Sequence, residues 1–243
     1  MLKAAIEKIE SMAWKHIIEK DGRIYSDVHL TEVKPKPDRP EVAEFRSLDA
    51  IVQVITAEIE RHTRPIFINV RSARTVEVFS TYREDFKRDS LYTAGITYRN
   101  RPEWYTYDEA MIALRSQFIP NEGTEYVLEL LSSVSDKNEV SSSDNGITQS
   151  VNVRKGVSLQ SKEAVRPRVM LMPYRTFLEV DQPESEFLLR LRPGNPDKGI
   201  EPQIGFFEAD GGMWELAAKD SIAKYFEGHL AELIASKNVI VTR

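Results

Sequence analysis

Apolar residues recur every three or four positions in five stretches of the chain, which is the spacing of one face of an α-helix. The first stripe consists of Leu2, Ile6, Ile9, Ala13 and Ile17, and Gly22 is predicted to end that helix. Four further helices are predicted to begin near Ser47, Thr106, Thr124 and Asp210. The last is the longest, and its broad apolar face is predicted to pack on a sheet.

Shorter apolar runs bounded by turn residues predict the strands. They are VAEF, PIFINV, TVEVFST and SLYTAGITYR in the first half, and ITQSVNVRKGVSL, RPRVMLMPY, SEFLLRLRPG, QIGFF and NVIVT in the second. Short connections favour antiparallel pairing, and the order of helices and strands shows no regular βαβ alternation. The predicted fold class is therefore α+β, with mostly antiparallel sheets and flanking helices.

Two polar segments divide the chain. KPKPDRP carries three prolines in seven residues and cannot be a helix or a central strand. Residues 1–41 are therefore predicted to be an N-terminal helix on a proline-rich arm, and residues 42–243 a single α+β domain. Such a helix either grips a neighbouring subunit or folds back on its own domain. SDKNEVSSSDNG, at about 135–146, is predicted to be a mobile loop.

Composition narrows the function classes. The chain has 243 residues, a net charge of -5 and no cysteine, which excludes disulfides, thiolate zinc sites and cysteine nucleophiles. The N-terminus lacks the continuous apolar core of a signal peptide, and no run is long enough for a membrane span. We therefore expect a soluble cytoplasmic protein that does not associate with membranes.

No catalytic signature is present, so we expect no enzymatic activity, cofactor or metal. The four histidines are scattered, and neither a phosphate-binding loop nor a serine-hydrolase motif occurs. In QIGFFEADGGMWELAAK, the carboxylates of Glu208 and Asp210 would repel a phosphate and lack a third metal ligand. This stretch favours a structural turn, in which Asp210 caps a helix and Gly211 and Gly212 place Trp214 on the sheet.

The centre of the chain is basic. Residues 61–101 contain nine Lys or Arg against four Asp or Glu, interleaved with aromatic residues. Base stacking and phosphate neutralisation use these residue types, although the aromatics could equally face the core. The candidate nucleic-acid contacts are Arg64, Arg71, Arg74, Arg83, Lys87, Arg88, Arg99 and Arg101.

Residues 157–214 contain the segments PYRTFLEVDQPESEFLLR and FEADGGMW, which resemble segments of temperate-phage proteins. The layout of residues 45–230 is similar to that of the YfdQ-like prophage family. The resemblance implies a non-structural protein encoded by a phage or prophage, and it assigns no functional residues.

Three hypotheses therefore remain open. The first is a non-enzymatic protein that self-associates into a homo-oligomer, with Leu2, Ile6, Ile9, Ala13 and Ile17 as candidate contacts. The second is a nucleic-acid-binding accessory of phage replication or recombination. The third is an anti-defence protein that binds a small molecule.

Overall fold

The computed structural model describes residues 2–13, 17–20, 23–26, 41–83, 86–97, 103–135, 139–144, 149–155, 158–194 and 198–243. The chain divides into two compact units, Met1–Arg39 and Pro40–Arg243. Within the described residues, no helix is long and apolar enough to cross a lipid bilayer.

The first unit contains helix α1 (Leu2–Ala13) and an antiparallel pair of strands, β1 (Ile17–Lys20) and β2 (Arg23–Ser26). The prediction that one helix continues to Gly22 is therefore wrong, and Ile17 lies in a strand. Ile17 and Ile18 in β1, and Ile24 and Tyr25 in β2, are β-branched or aromatic residues, which favour strands. The predicted proline-rich arm, KPKPDRP, lies outside the described residues.

The second unit contains two five-stranded sheets, named sheet I and sheet II here. Sheet I has the order β15-β4-β5-β6-β3 and is antiparallel except for its two edge pairings, which are parallel. Its strands are β3 (Ala43–Phe45), β4 (Ile66–Ser72), β5 (Thr75–Ser80), β6 (Ser90–Gly95) and β15 (Val239–Thr242).

Two helices cover one face of sheet I. They are α2 (Leu48–Glu58), which a short 3-10 turn follows at Ile59–Arg61, and α5 (Met213–His229). Ile51 of α2 and Phe226 of α5 are buried in one cluster with alternate residues of β4 and β5. The prediction that the long C-terminal helix packs on a sheet is thus confirmed. The chain breaks the helix at Leu230 and continues in α6 (Ala231–Ala235).

Sheet II is antiparallel, with the order β7-β14-β13-β12-β8. Its strands are β7 (Trp104–Thr106), β8 (Phe118–Ile119), β12 (Arg168–Pro173), β13 (Ser185–Arg192) and β14 (Gln203–Glu208). Helices α3 (Tyr107–Gln117) and α4 (Glu122–Ser135) bury Leu114 and Leu131 against one face of this sheet. Phe118 follows Leu114 at helical spacing in the sequence, but it begins β8.

A third, three-stranded sheet has the order β11-β10-β9. Its strands are β9 (Glu139–Asp144), β10 (Gln149–Lys155) and β11 (Ser158–Val165). The prediction of a loop over 135–146 is therefore wrong for residues 139–144, which pair with β10. The serines give little intrinsic strand signal, and the neighbouring strand supplies the backbone hydrogen bonds that keep them extended.

The observed fold class is α+β with mostly antiparallel sheets, as predicted. Local capping chemistry sets two of the helix starts. The Ser47 hydroxyl accepts from the backbone N–H of Ala50, and Thr106 forms a capping box with Glu109. Hydrogen bonds from the Thr106 backbone N–H and hydroxyl lower the pKa of the exposed Glu109 carboxyl. These caps fix where α2 and α3 leave their sheets.

Candidate functional site

The segments PYRTF and FEADGG meet at a single buried side chain, Arg175. Its residue is 2% exposed, and it lies just after β12 in the segment PYRTF. The guanidinium donates to Glu208 Oε1 at 2.8 Å, to the Pro183 carbonyl at 3.1 Å and to the Ser185 hydroxyl. A buried cation is stable only when it is paired and hydrogen-bonded, and these three acceptors meet that need.

Trp214 closes the same site from the start of α5. Its ring lies 4.0 Å from the guanidinium carbon of Arg175 and 5.5 Å from that of Arg74. Arg74 belongs to the turn after β4, so the indole contacts a cation from each sheet. Cation–π contacts of this kind strengthen when they are removed from water. The indole therefore helps to join sheet I and sheet II.

Hydrogen bonds from side chains to backbone carbonyls hold the two sheets together at this point as well. Arg74 Nε donates to the Arg175 carbonyl at 3.3 Å, and the Thr176 hydroxyl donates to the Ala73 carbonyl at 2.5 Å. Thr176 is buried. Because these bonds link residues about a hundred positions apart in the chain, their acceptors cannot be read from sequence spacing.

Gln182 stabilises the loop between β12 and β13. Its buried side chain accepts from the backbone N–H groups of Arg175 and Thr176, at 2.9 and 3.1 Å, and donates to the Phe177 carbonyl at 2.9 Å. Farther along the same loop, Glu179 accepts from the Leu48 backbone N–H at 2.7 Å. That contact places a carboxylate at the N-terminus of α2, where the helix dipole favours it.

The turn EADGG has the structural role that the sequence favours. The Asp210 carboxylate accepts from the backbone N–H groups of Gly212 and Trp214, at 3.0 and 3.3 Å. Gly211 and Gly212 have φ values of +64° and +84°, a region that favours glycine. Gly212, rather than Asp210, is the N-cap residue of α5. Asp210 therefore accepts hydrogen bonds at the start of the helix from a position two residues before the N-cap.

Both carboxylates of this turn have partners. Glu208 pairs with Arg175. Burial acts to raise the pKa of Asp210, but hydrogen bonds from Ser185 and the turn backbone, together with the charge of Arg175, outweigh it and lower that pKa. Among the described residues, no cluster of three or more potential ligands could hold a metal ion. The site around Arg175 is therefore a structural junction, and Arg175 is its central residue.

Most of the predicted nucleic-acid contacts that lie within the described residues have partners in the structure. The structure pairs Arg71 with Glu77 at 2.6 Å and Arg83 with Asp89 at 2.9 Å. Arg64 donates to the Tyr82 carbonyl at 3.0 Å. Lys87 is exposed, Arg74 lies in the junction, and Arg99 and Arg101 lie outside the described residues. Several of these cations thus serve the fold, which weakens this set as a phosphate-binding surface.

Arg88 is the member of that set that lies among aromatic side chains. Phe67 and Phe79 are opposite each other on β4 and β5, with ring centroids 5.5 Å apart. The Arg88 guanidinium carbon lies 4.7 Å, 4.9 Å and 4.1 Å from the rings of Phe67, Phe79 and Tyr82. The surrounding stretch 80–90 carries three basic and three acidic residues, so its formal charge is zero. This cluster therefore lacks the positive charge that a polyanion needs.

The candidate oligomer contacts lie in the first unit. Leu2, Ile6 and Ile9 are 79%, 50% and 66% exposed along one stripe of α1. Ala13 is the last residue of the helix, and Ile17 begins β1. The predicted stripe is therefore shorter than the sequence suggested, but its first three members are solvent-exposed apolar side chains.

Two sets of residues have weak or unused signals in the sequence. One is the junction residue Arg175, whose only signal is an arginine among the apolar positions of PYRTF. The other is a row of arginines, Arg190 and Arg192, at alternate positions of SEFLLRLR, where they face away from the core side chains Leu189 and Leu191. The period-two pattern of that strand could have identified the second set.

Comparisons of the chain with protein-family models, with curated proteins and with solved structures found no match.

Proposed function

We propose that this protein is a non-enzymatic, self-associating protein of a phage or prophage, which forms a homo-oligomer through α1 in the host cytoplasm. The observation that carries the proposal is the exposed stripe of Leu2, Ile6 and Ile9. Contiguous exposed apolar side chains are typical of surfaces that bind a protein partner. A second copy of α1 presents the same stripe, and homo-oligomers use such self-complementary contacts.

The free energy gained by burying these three side chains is large enough for association. Burying a fully exposed isoleucine or leucine side chain contributes about 1.5–3 kcal/mol, and because these three are only 50–79% exposed, they contribute roughly 3–6 kcal/mol per copy. Association costs roughly 4–15 kcal/mol in lost translational and rotational freedom. Two copies that cover each other therefore gain roughly 6–12 kcal/mol, which is comparable to the cost of association.

The proposal of a non-enzymatic role is supported by the engagement of Glu208 and Asp210. One is paired with Arg175 and the other holds the turn before α5. The proposal of a phage or prophage origin is supported by the resemblance of residues 157–214 described above.

Light scattering coupled to size-exclusion chromatography tests the proposal on the full chain at micromolar concentration. We expect the wild-type protein to elute with a mass that is a multiple of 27.8 kDa. The double variant Ile6→Glu, Ile9→Glu should shift towards a single chain, because charged side chains cannot be buried in an apolar contact without a partner.

Ile112→Glu is the matched control, because Ile112 is 67% exposed on α3 and the substitution is the same. This variant should keep the wild-type mass. A wild-type protein of single-chain mass would refute the proposal, and so would a double variant with an unchanged oligomer.

A further inference from the structure

The face of sheet II opposite α3 and α4 carries a second candidate interaction surface, which we call the outer face. Residues of β13 alternate strictly: Phe187, Leu189 and Leu191 are buried in the core, and the residues between them point the other way. The outer face comprises Trp104, Arg168, Met170, Glu186, Leu188, Arg190, Arg192, Gly205 and Phe207.

Trp104 lies across this face because its neighbour is a glycine. Gly205 is opposite Trp104 in the register of β14 and β7. A Cβ atom at position 205 would lie 3.0 Å from two carbons of the indole ring, so the absence of a side chain admits the ring. The ring of Phe207 meets the indole edge-on, with centroids 5.3 Å apart. The indole is thus held in a defined position on the sheet.

Arg192 lies over the other side of this indole. Its guanidinium carbon is 3.6 Å from the ring centroid, and the residue is exposed. Within the described part of the chain, Arg192 makes no ion pair with a carboxylate. Arg168, by contrast, pairs with Glu186 at 2.7 Å. The indole therefore orients a planar cation that no carboxylate among the described residues neutralises.

The charge of the outer face is opposite to that of the whole protein. Its three arginines and one glutamate give a formal charge of +2, whereas the chain carries -5. A local positive charge on an acidic protein indicates an anionic partner. Aromatic and guanidinium planes on a sheet, surrounded by positive charge, are the features that bind bases and phosphates of a single strand.

We propose that the outer face of sheet II binds single-stranded nucleic acid. Arg192, oriented by Trp104, stacks with a base or donates to a phosphate, and Arg168 and Arg190 add positive charge along the path of the strand. A single strand fits this surface better than a duplex, because duplex bases are already stacked on one another and cannot reach the guanidinium plane. Because the strand is bound through base stacking and charge, we expect little preference for a particular nucleotide sequence.

Fluorescence anisotropy of a fluorescein-labelled oligodeoxythymidine tests the proposal on the full chain. We expect binding at low salt that weakens as salt rises, because phosphate contacts release counterions. Arg192→Gln should weaken binding roughly fivefold or more, which corresponds to the lower end of the range of about 1–3 kcal/mol for one stacking contact. If Arg192 contacts a phosphate, the slope of log affinity against log salt should also fall by about 0.7.

Arg61→Gln is the matched control, since it removes one charge from a side chain that is 79% exposed outside the outer face. It should change the affinity by less than twofold. As a second variant, Trp104→Phe keeps an aromatic ring but reduces the ring area that contacts the Arg192 guanidinium. This variant should therefore also weaken binding of the oligonucleotide. Circular dichroism checks that each variant is folded.

Four outcomes would overturn the proposal: no binding at low salt, equal weakening by Arg61→Gln, equal or tighter binding of a duplex of the same length, and competition by free thymidine monophosphate at the same phosphate concentration. Polyglutamate that competes as well as the oligonucleotide would instead assign the face to an acidic protein. The oligomeric state of each variant, measured separately, keeps this test independent of the role of α1.

Discussion

Because Arg175 joins the two sheets, its replacement should lower the free energy of unfolding. The size of this loss can be estimated by comparing two ion pairs in the same region. Arg175 and Arg168 each pair with a glutamate, at 2.8 and 2.7 Å. The two arginines differ in burial: the Arg175 side chain is fully buried, whereas the Arg168 side chain is 61% exposed. Replacing each arginine by methionine therefore compares the loss of a buried ion pair with the loss of an exposed ion pair whose N–O distance is nearly the same.

Arg175→Met leaves several groups without their donor. The Pro183 carbonyl loses its hydrogen bond from Arg175, and a group left unsatisfied costs about 1–3 kcal/mol. The Ser185 hydroxyl also loses its bond from Arg175 but keeps its bond to Asp210. Breaking one side of a buried ion pair typically costs about 3–5 kcal/mol. The Glu208 side chain is 43% exposed and regains water, which places the cost near the lower end, at about 3 kcal/mol.

Urea denaturation followed by circular dichroism measures both variants. We expect the midpoint of Arg175→Met to fall by about 1 M or more. Arg168→Met should cost less than about 1 kcal/mol, because an exposed pair contributes little. Equal losses for the two variants, or a loss below about 1 kcal/mol for Arg175→Met, would refute the reasoning that burial makes this arginine a junction.

Two further predictions concern α5 and the turn before it. Gly212→Ala should destabilise the protein by about 1–2 kcal/mol, because Gly212 has a φ of +84°. Gly228→Ala should stabilise the protein by about 0.5–1 kcal/mol, because Gly228 lies inside α5 with open space around it. If the unfolding midpoints of Gly212→Ala and Gly228→Ala move in the same direction, this reasoning is contradicted. The lowered pKa of Asp210 means that its contribution to stability is present above the unfolded pKa and is lost as pH falls through the folded pKa. Asp210→Asn should therefore unfold at a lower urea concentration at neutral pH and approach the wild-type midpoint in acid, and an equal difference at both pH values would argue against the role of this carboxylate.

The elements with strong local signals could be predicted from the sequence. Apolar spacing and the hydroxyl caps located α2 and α3, since Ser47 and Thr106 hydrogen-bond to backbone groups only three residues away. Alternating apolar residues likewise located β4, β5 and β13. The prediction failed where the local signal was weak or was interpreted as helical, as at Ile17 and in the serine-rich stretch of β9. A neighbouring strand decided the conformation at both places.

The sequence by itself determined the α+β class, the strongly patterned strands β4, β5 and β13, and the turn chemistry of Asp210 with its two glycines, because each has a strong signal among residues a few positions apart. Only the tertiary structure decided the partners of the charged groups. Arg175 meets Glu208 and Trp214 from another strand and helix, and Arg192 reaches Trp104 on a strand that is distant in the chain. Sheet order brings these residues together, and pairwise spacing along one chain carries no record of that order.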